Sequence, residues 1–186
     1  EAANYYCESG KVAGIGLYSH AWNGYAQKQY LPAKSKSDVY FGQFSITWGQ
    51  CWIDKQWKQF RSWYSAVEDK LIIDHDNLPA VLSLWGEQSW GKYFVSYIVE
   101  KDLYYVIPYV SMSTNFSEVG QHAGKTDAAH QVCLLEEFKS DFRFVRFEDG
   151  IKYDVFFERI FVDVYADLFF QVMSKALFGT GRNTFG

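Results

Sequence analysis

Residues 89–108 read SWGKYFVSYIVEKDLYYVIP, and this stretch decides the fold class. Four large apolar side chains in its first half recur at helical spacing: Trp90, Phe94, Tyr97 and Ile98. They predict one face of an amphipathic helix that begins near Ser89, a suitable N-cap residue. The β-favouring run 103–107, which ends at Pro108, predicts a strand. A helix that leads directly into a strand favours an α/β fold.

The same reasoning extends toward the amino terminus. Ile53, Trp57, Phe60 and Tyr64 recur at spacings of four, three and four residues, which predicts a second amphipathic helix. Residues 1–8 are typical of the end of a helix, and residues 12–18 of a short apolar strand. The polar stretch 19–37 predicts a long exposed loop of the kind that often carries function.

Length and composition bound the possibilities further. With 186 residues the chain is long enough for one core and too short for two. We therefore treat residues 1–178 as part of a single domain and residues 179–186 as a loose tail. A net charge of −4 with mixed signs argues against nucleic acid as a partner.

The cysteines and the apolar runs bear on location. Three widely spaced cysteines without a CxxC pattern, Cys7, Cys51 and Cys133, fit a reducing compartment and argue against a disulfide framework or a zinc site. No apolar run has the length of a membrane span, of about 20 residues. We expect a cytoplasmic protein, with peripheral association at the inner face of the membrane left open.

Three stretches of sequence follow one another in a recognisable order. The first is Gly14-Ile15-Gly16-Leu17-Tyr18, and the second is Trp48-Gly49-Gln50-Cys51-Trp52 with Trp57 behind it. The third runs from residue 89 through 105–108 and 113–116 to 119–122. Together the three stretches resemble bacterial glycosyltransferases similar to family 2, including enzymes that build capsules and lipopolysaccharide.

The resemblance implies a fold and an activity. The fold would be part of the α/β GT-A (nucleotide-diphospho-sugar transferase) fold, a mixed sheet with packed helices that lacks most of the nucleotide-binding half. The activity would be transfer of a sugar from a nucleotide-diphosphate donor to a saccharide or lipid-linked acceptor in surface polysaccharide biosynthesis. Such enzymes hold Mg²⁺ or Mn²⁺ through an Asp-x-Asp motif, which would precede residue 1. We expect this chain alone to be inactive, and a half-fold with an exposed sheet edge to favour a homodimer.

For the donor and its metal, the resemblance points to a late loop that holds Asn115, His122 and Lys125. A neutral imidazole at His122 suits a divalent cation, and Lys125 could approach a diphosphate. The alternative is an ordinary surface-loop histidine. The acidic run Asp74-His75-Asp76 is a second metal candidate, but polar residues before Pro79 are also typical of a plain turn.

For the acceptor, the resemblance points to a catalytic carboxylate and an aromatic wall. Glu87 would take the proton from the acceptor hydroxyl in an inverting reaction, although on local grounds alone a solvated first-turn glutamate is the more common explanation. The acceptor-binding candidates are Trp48, Gly49, Trp52 and Trp90, since indole rings pack against the C–H faces of a pyranose. Trp57, Phe60 and Phe94 are predicted to be core.

Two other functions stay open. A non-catalytic carbohydrate-binding or scaffold module would also explain the 20% aromatic content. A metal-dependent hydrolase that uses Asp74, Asp76 and His122 is the weaker alternative, because no recognised hydrolase spacing accompanies these residues.

Overall fold

A computed structural model describes residues 1–68, 76–116 and 128–161. Its helices are α1 (Ala2–Tyr6), α2 (Asp54–Val67) and α3 (Trp90–Glu100), with short 3₁₀ turns at Ala80–Leu84 and Ala128–His130. Its strands are β1 (Val12–Gly16), β2 (Trp22–Asn23), β3 (Lys28–Gln29), β4 (Val39–Gly42), β5 (Gln50–Cys51), β6 (Tyr104–Pro108), β7 (Lys152–Tyr153) and β8 (Arg159–Ile160). None of the described helices combines the length and apolarity that crossing a bilayer requires.

Six strands form one mixed sheet in the order β5-β1-β6-β4-β7-β8, and β2 pairs with β3 in a separate ribbon. The inner strand β6 runs parallel to β1 and antiparallel to β4. Strand β7 is parallel to β4, whereas β5 and β8 pair antiparallel at the two edges. The described chain therefore has the α/β architecture with a mixed sheet that the sequence predicts.

Both faces of this sheet are covered. Successive side chains of a strand point to opposite faces, so Tyr105 and Ile107 of β6 pack toward α2 and α3. Tyr104 and Val106 pack instead against α1 and the partly buried side chains near Phe144. Because every residue of β6 is buried, the sheet lies between two apolar layers.

The two predicted amphipathic helices are confirmed. Helix α3 begins at Trp90 with Ser89 as its N-cap residue, and the rings of Phe60 on α2 and Phe94 on α3 lie 4.9 Å apart. The buried Gln56 fixes the start of α2. Its Nε2 donates to the Val12 carbonyl at 3.0 Å, and its Oε1 accepts from the Ile53 amide at 3.2 Å.

The exposed loop predicted over residues 19–37 is wrong in part. This stretch contains the β2–β3 ribbon and buries Ser19, Asn23 and Tyr30. The Asn23 side chain accepts hydrogen bonds from the amides of Tyr25 and Ala26 at 2.9 and 3.1 Å. The ribbon stays against the core because its buried polar groups find partners inside the protein.

Strand β1 contains a position where the backbone passes directly beneath aromatic side chains. A Cβ added at Gly14 would lie 2.6 Å from Tyr105 Cε1 and 2.7 Å from Trp52 Cδ1. We expect Gly14→Ala to lower the free energy of unfolding by about 1–3 kcal/mol, because the rings must leave their positions. Urea denaturation measures this change.

Gly10→Ala is the matched control, since nothing lies within 4 Å of a Cβ at Gly10. Its free energy of unfolding should stay within about 0.5 kcal/mol of the parent. If the Gly14→Ala variant were as stable as this control, the packing around Trp52 would be looser than the 2.7 Å approach indicates.

Candidate functional site

A cavity of about 310 Å³ lies between the β2–β3 ribbon, the β4–β5 connection and the β7–β8 turn. Its volume is near the lower end of the range of about 300–1,000 Å³ that is typical of ligand pockets. Five aromatic side chains line it: Tyr25, Phe44, Trp48, Trp85 and Phe157. Polar groups interrupt this aromatic lining at Ser45 and Thr47. The cavity thus combines apolar walls with hydrogen-bonding groups.

The wall at Phe157 depends on an unusual backbone conformation. Phe157 has a φ of 66°, in the left-handed region that bulky residues avoid. Its ring stacks on Phe44 with centroids 4.1 Å apart and planes within 5°. Asp154 Oδ1 holds the turn by accepting from the amides of Phe156 and Glu158 at 2.9 and 2.8 Å. Such residues cost roughly 1–3 kcal/mol and concentrate at functional sites, so this strained turn supports a binding role for the cavity.

A tight turn places the wall at Trp48. Gly49 has a φ of +86°, and a Cβ there would lie 2.9 Å from Ser113 Oγ, so only glycine fits. The Gly49 carbonyl accepts from the Leu17 amide at 2.9 Å, and the Ser113 hydroxyl donates to the Trp48 carbonyl. These contacts hold the Trp48 ring 4.8 Å from Tyr18 and 5.1 Å from His130.

The wall at Trp85 is supported from a separate apolar cluster. Leu82, in the 3₁₀ turn just before Trp85, is fully buried together with Val95 of α3 and Val155 of the β7–β8 turn. The partly buried Trp85 ring packs against this cluster and lies 6.5 Å from Tyr25 across the cavity lining. The same apolar cluster therefore joins helix α3, the β7–β8 turn and Trp85.

His20 contributes an uncharged imidazole to the lining. Its Nε2 lies 3.2 Å from the Ser45 carbonyl oxygen, and because a carbonyl only accepts, Nε2 carries the proton and Nδ1 is left as an acceptor. The rings of Tyr18, Phe44 and Phe157 meet this imidazole edge to face at 5.0–5.4 Å. Burial lowers the pKa of His20 to about 4, against the opposing effect of the Ser45 bond, and nearby His130 lowers it further. His20 is therefore neutral at physiological pH.

His130 faces the same cavity from the 3₁₀ turn that ends at this residue. The Tyr18 hydroxyl donates to the His130 carbonyl at 2.9 Å. Burial raises the pKa of Tyr18 to about 12, so this hydroxyl keeps its proton. Within the described ranges, the buried Nδ1 of His130 has no hydrogen-bond partner. Because an unpaired buried nitrogen is costly, it is a natural position for a ligand or an ordered water.

The structure separates the tryptophans that the sequence analysis grouped together. Trp48 lines the cavity. Trp52, on the far side of β5, stacks on Trp57 at 5.0 Å and meets Trp90 edge to face at 5.7 Å. Trp52 and Trp90 are not among the described residues that line the cavity. A role for Trp52 and Trp90 in acceptor binding stays a prediction, and it would involve a surface apart from the Trp48 cavity.

The remaining predicted residues lie at the edge of the cavity or outside the described chain. Glu87 is exposed in the turn between Trp85 and α3 and is not among the described lining residues. Asn115 is partly buried beside Thr114. His122 and Lys125 lie outside the described residues, as do Asp74 and His75.

The expected divalent cation finds no binding site in the described part of the chain. Residues 1–68, 76–116 and 128–161 contain no group of three His, Cys, Asp or Glu side chains that could hold a metal ion. Cys7, Cys51 and Cys133 are free thiols. The predicted ligand His122 lies outside these ranges, so the divalent cation stays a prediction.

Sequence reasoning missed His20, His130 and Phe157. His20 had a usable signal, because it follows the predicted strand 12–18 by two residues and functional side chains are common at strand ends. His130 had none, since it reaches the cavity through Tyr18, 112 residues away. Phe157 was missed because neither its left-handed backbone nor its stacking on Phe44 leaves a sequence pattern.

Comparison with known proteins adds no relative to this picture. No protein-family model, curated protein or solved structure matches the chain.

The neutral state of His20 makes stability depend on pH in a defined window. In the unfolded chain His20 takes up a proton below pH 6.5, whereas in the folded chain it does so only at about pH 4. The unfolded state thus binds more protons between these values, and stability falls as the pH decreases through this window, by up to about 3 kcal/mol. Above pH 6.5 His20 does not contribute to the pH dependence of the free energy of unfolding.

Urea denaturation at several pH values, in the parent and in His20→Gln, measures this contribution. The variant should lose the part of the pH slope that belongs to His20, while its titratable neighbours His130 and Tyr18 remain. Parallel pH profiles for the two proteins would contradict the enclosed, uncharged state of this imidazole.

Proposed function

We propose that the cavity binds a saccharide and that the chain is the acceptor-side part of a GT-A glycosyltransferase. The reaction would move a sugar from a nucleotide-diphosphate donor to a saccharide or lipid-linked acceptor. One observation carries the proposal: the cavity at Trp48 combines aromatic walls with hydroxyl and imidazole groups. The α/β architecture with a mixed sheet is compatible with such an enzyme.

The chemistry of this lining suits a pyranose ring. Each sugar ring has C–H faces that pack against indole and phenyl groups, and a rim of hydroxyls that need polar partners. Trp48 and Trp85 offer the aromatic surfaces, while Ser45, Thr47 and His20 offer hydrogen bonds. A lining of aromatic rings alone would favour a plain apolar ligand instead.

The described residues on either side of the predicted donor residues are held to each other by a hydrogen bond. Thr114 Oγ1 accepts from the Val132 amide at 2.9 Å. Residues 117–127, which include His122 and Lys125, begin just after Thr114 and end just before His130. The predicted donor residues thus precede the cavity residue His130 closely in sequence, which supports a donor-binding role for them beside an acceptor in the cavity.

The proposed reaction also needs a base. The oxygen of the acceptor sugar bonds to the anomeric carbon of the donor as the nucleoside diphosphate leaves. The proton of that hydroxyl must then pass to a base. His20 is a weak base, because burial lowers its pKa to about 4. The carboxylate of Glu87, two residues after Trp85 in an exposed turn, stays our candidate.

A non-catalytic carbohydrate-binding module is the second candidate. The described lining residues are aromatic, aliphatic, hydroxyl-bearing or imidazole-bearing, with no carboxylate among them. They are thus sufficient for binding and provide no catalytic carboxylate. The two candidates share the saccharide and differ in whether a donor nucleotide binds beside it.

The saccharide role is tested by Trp48→Ala. Without this indole we expect affinity for neutral methyl glycosides to fall by tenfold or more, about 1.4 kcal/mol, because the sugar loses its aromatic platform. Trp57→Ala is the matched control, since Trp57 is 40% exposed on α2 and does not line the cavity. NMR titration measures both affinities. Equal losses in the two variants, or no binding by the parent, would refute the assignment.

The donor role is tested with His122→Ala in a form of the protein that includes the nucleotide-binding half. We expect weaker Mn²⁺-dependent binding of a nucleoside diphosphate, since the imidazole would contact the metal or the diphosphate. His130→Ala should leave this affinity unchanged. Calorimetry measures both. Unaltered metal dependence in His122→Ala would favour the binding module.

A further inference from the structure

The described lining of the cavity offers hydrogen bonds from the uncharged side chains of Ser45, Thr47 and His20. Among the described residues that line it there is no Lys, Arg, Asp or Glu. The two titratable side chains that could carry positive charge are His20 and His130, and His20 is enclosed by three aromatic rings. Burial keeps His20 neutral by lowering its pKa to about 4. A ligand that contacts these described residues therefore meets dipoles and aromatic rings.

The hydrogen-bond roles of the lining match hydroxyl groups. Because His20 Nε2–H is committed to the Ser45 carbonyl at 3.2 Å, its Nδ1 can only accept. The hydroxyls of Ser45 and Thr47 can donate or accept, and Ser45 Oγ is buried with no partner in the described chain. The buried Nδ1 of His130 likewise has no described partner. A sugar hydroxyl, which both donates and accepts, can donate to His20 Nδ1 and can exchange hydrogen bonds with the Thr47 hydroxyl.

Resting on the saccharide function above, we propose that the cavity is an acceptor subsite selective for an uncharged sugar unit, one hydroxyl of which donates to His20 Nδ1. The volume of about 310 Å³ suits a small ligand such as a single sugar unit. The site discriminates against acidic sugars and against the diphosphate of the donor. Specificity then depends on the desolvation cost of an anion that finds no positive partner, as well as on contacts with the preferred ligand.

The discrimination has a direct physical cause. Moving a carboxylate or phosphate out of water is costly unless a positive charge or several donors replace the lost hydration. His20 Nδ1 presents a lone pair, which would repel an anionic oxygen. A neutral hydroxyl at the same position donates its proton to that lone pair.

The experiment compares matched pairs of ligands on the parent chain at pH 7 by NMR titration. The probes are the methyl glycosides of glucose and galactose, and the methyl glycosides of glucuronic and galacturonic acid. Each pair differs only in a hydroxymethyl group and a carboxylate. We expect the neutral member of at least one pair to bind at least tenfold more tightly than its acidic partner.

Two variants test the assigned acceptor. His20→Phe keeps a flat ring without nitrogen atoms, and should weaken binding of the neutral glycoside by about tenfold. His20→Gln retains a carbonyl acceptor and should recover part of that affinity. Far-UV circular dichroism and thermal unfolding establish that both variants are folded. If His20→Phe does not fold, the ratio of neutral to acidic affinities in the parent still decides the proposal.

The outcomes separate this inference from the function on which it rests. An acidic glycoside that binds as tightly as its neutral partner, with affinity lost in Trp48→Ala, overturns the selectivity and leaves the saccharide function standing. Unchanged neutral binding in a folded His20→Phe variant overturns the role of the imidazole. Failure of all four glycosides to bind overturns both proposals.

Discussion

The structure depends on β6, a strand with a parallel neighbour on one side and an antiparallel neighbour on the other. Strand β5, which follows β4 in the chain, pairs beyond β1 at the far edge of the sheet. The connection 43–49 must therefore cross the face of the sheet to join β4 to β5. Phe44 and Ile46 of this connection are fully buried. The same crossing supplies Phe44, Ser45, Thr47 and Trp48 to the cavity, so the site is a consequence of the strand order.

The cavity is also where local backbone preference gives way to tertiary contacts. Phe157 accepts a left-handed conformation, and Gly49 occupies a turn that no other residue fits. Each position is held by several interactions: Phe157 by stacking and the Asp154 turn, and Gly49 by the bonds around Trp48. A strained residue that several interactions hold in place, such as Phe157, is expected at functional positions.

The sequence predicts the elements whose signal is local. Helices α2 and α3 follow from apolar spacing, and β6 from its β-favouring run, because each pattern reflects one buried face. The ribbon within residues 19–37 could not be predicted, since its burial relies on distant partners. The Ser19 amide donates to Ser111 Oγ at 2.7 Å, and Asn23 Nδ2 donates to the Phe156 carbonyl at 3.2 Å.

In the candidate site, too, some residues could be predicted from the sequence and others could not. Trp48 was predicted because residues 48–52 resemble a Trp-Gly-x-x-Trp element, and it lines the cavity. Its grouping with Trp52 did not hold, because the short strand β5 separates the two residues and directs Trp52 toward the helices. The pairing of His20 with His130 needs the folded chain, since residues 110 positions apart share no local pattern.

The proposed enzyme has to bind two ligands of opposite character side by side. A donor diphosphate requires cations or many donors, whereas the Trp48 cavity offers an uncharged acceptor imidazole and aromatic walls. Lys125 and His122, which are predicted to bind the donor, lie in residues 117–127, outside the described chain. Such a division keeps the nucleotide out of the acceptor subsite by its charge, and keeps the neutral sugar where rings and hydroxyl partners are available. In the proposed enzyme, the same uncharged lining would bind the neutral acceptor sugar and exclude the donor diphosphate.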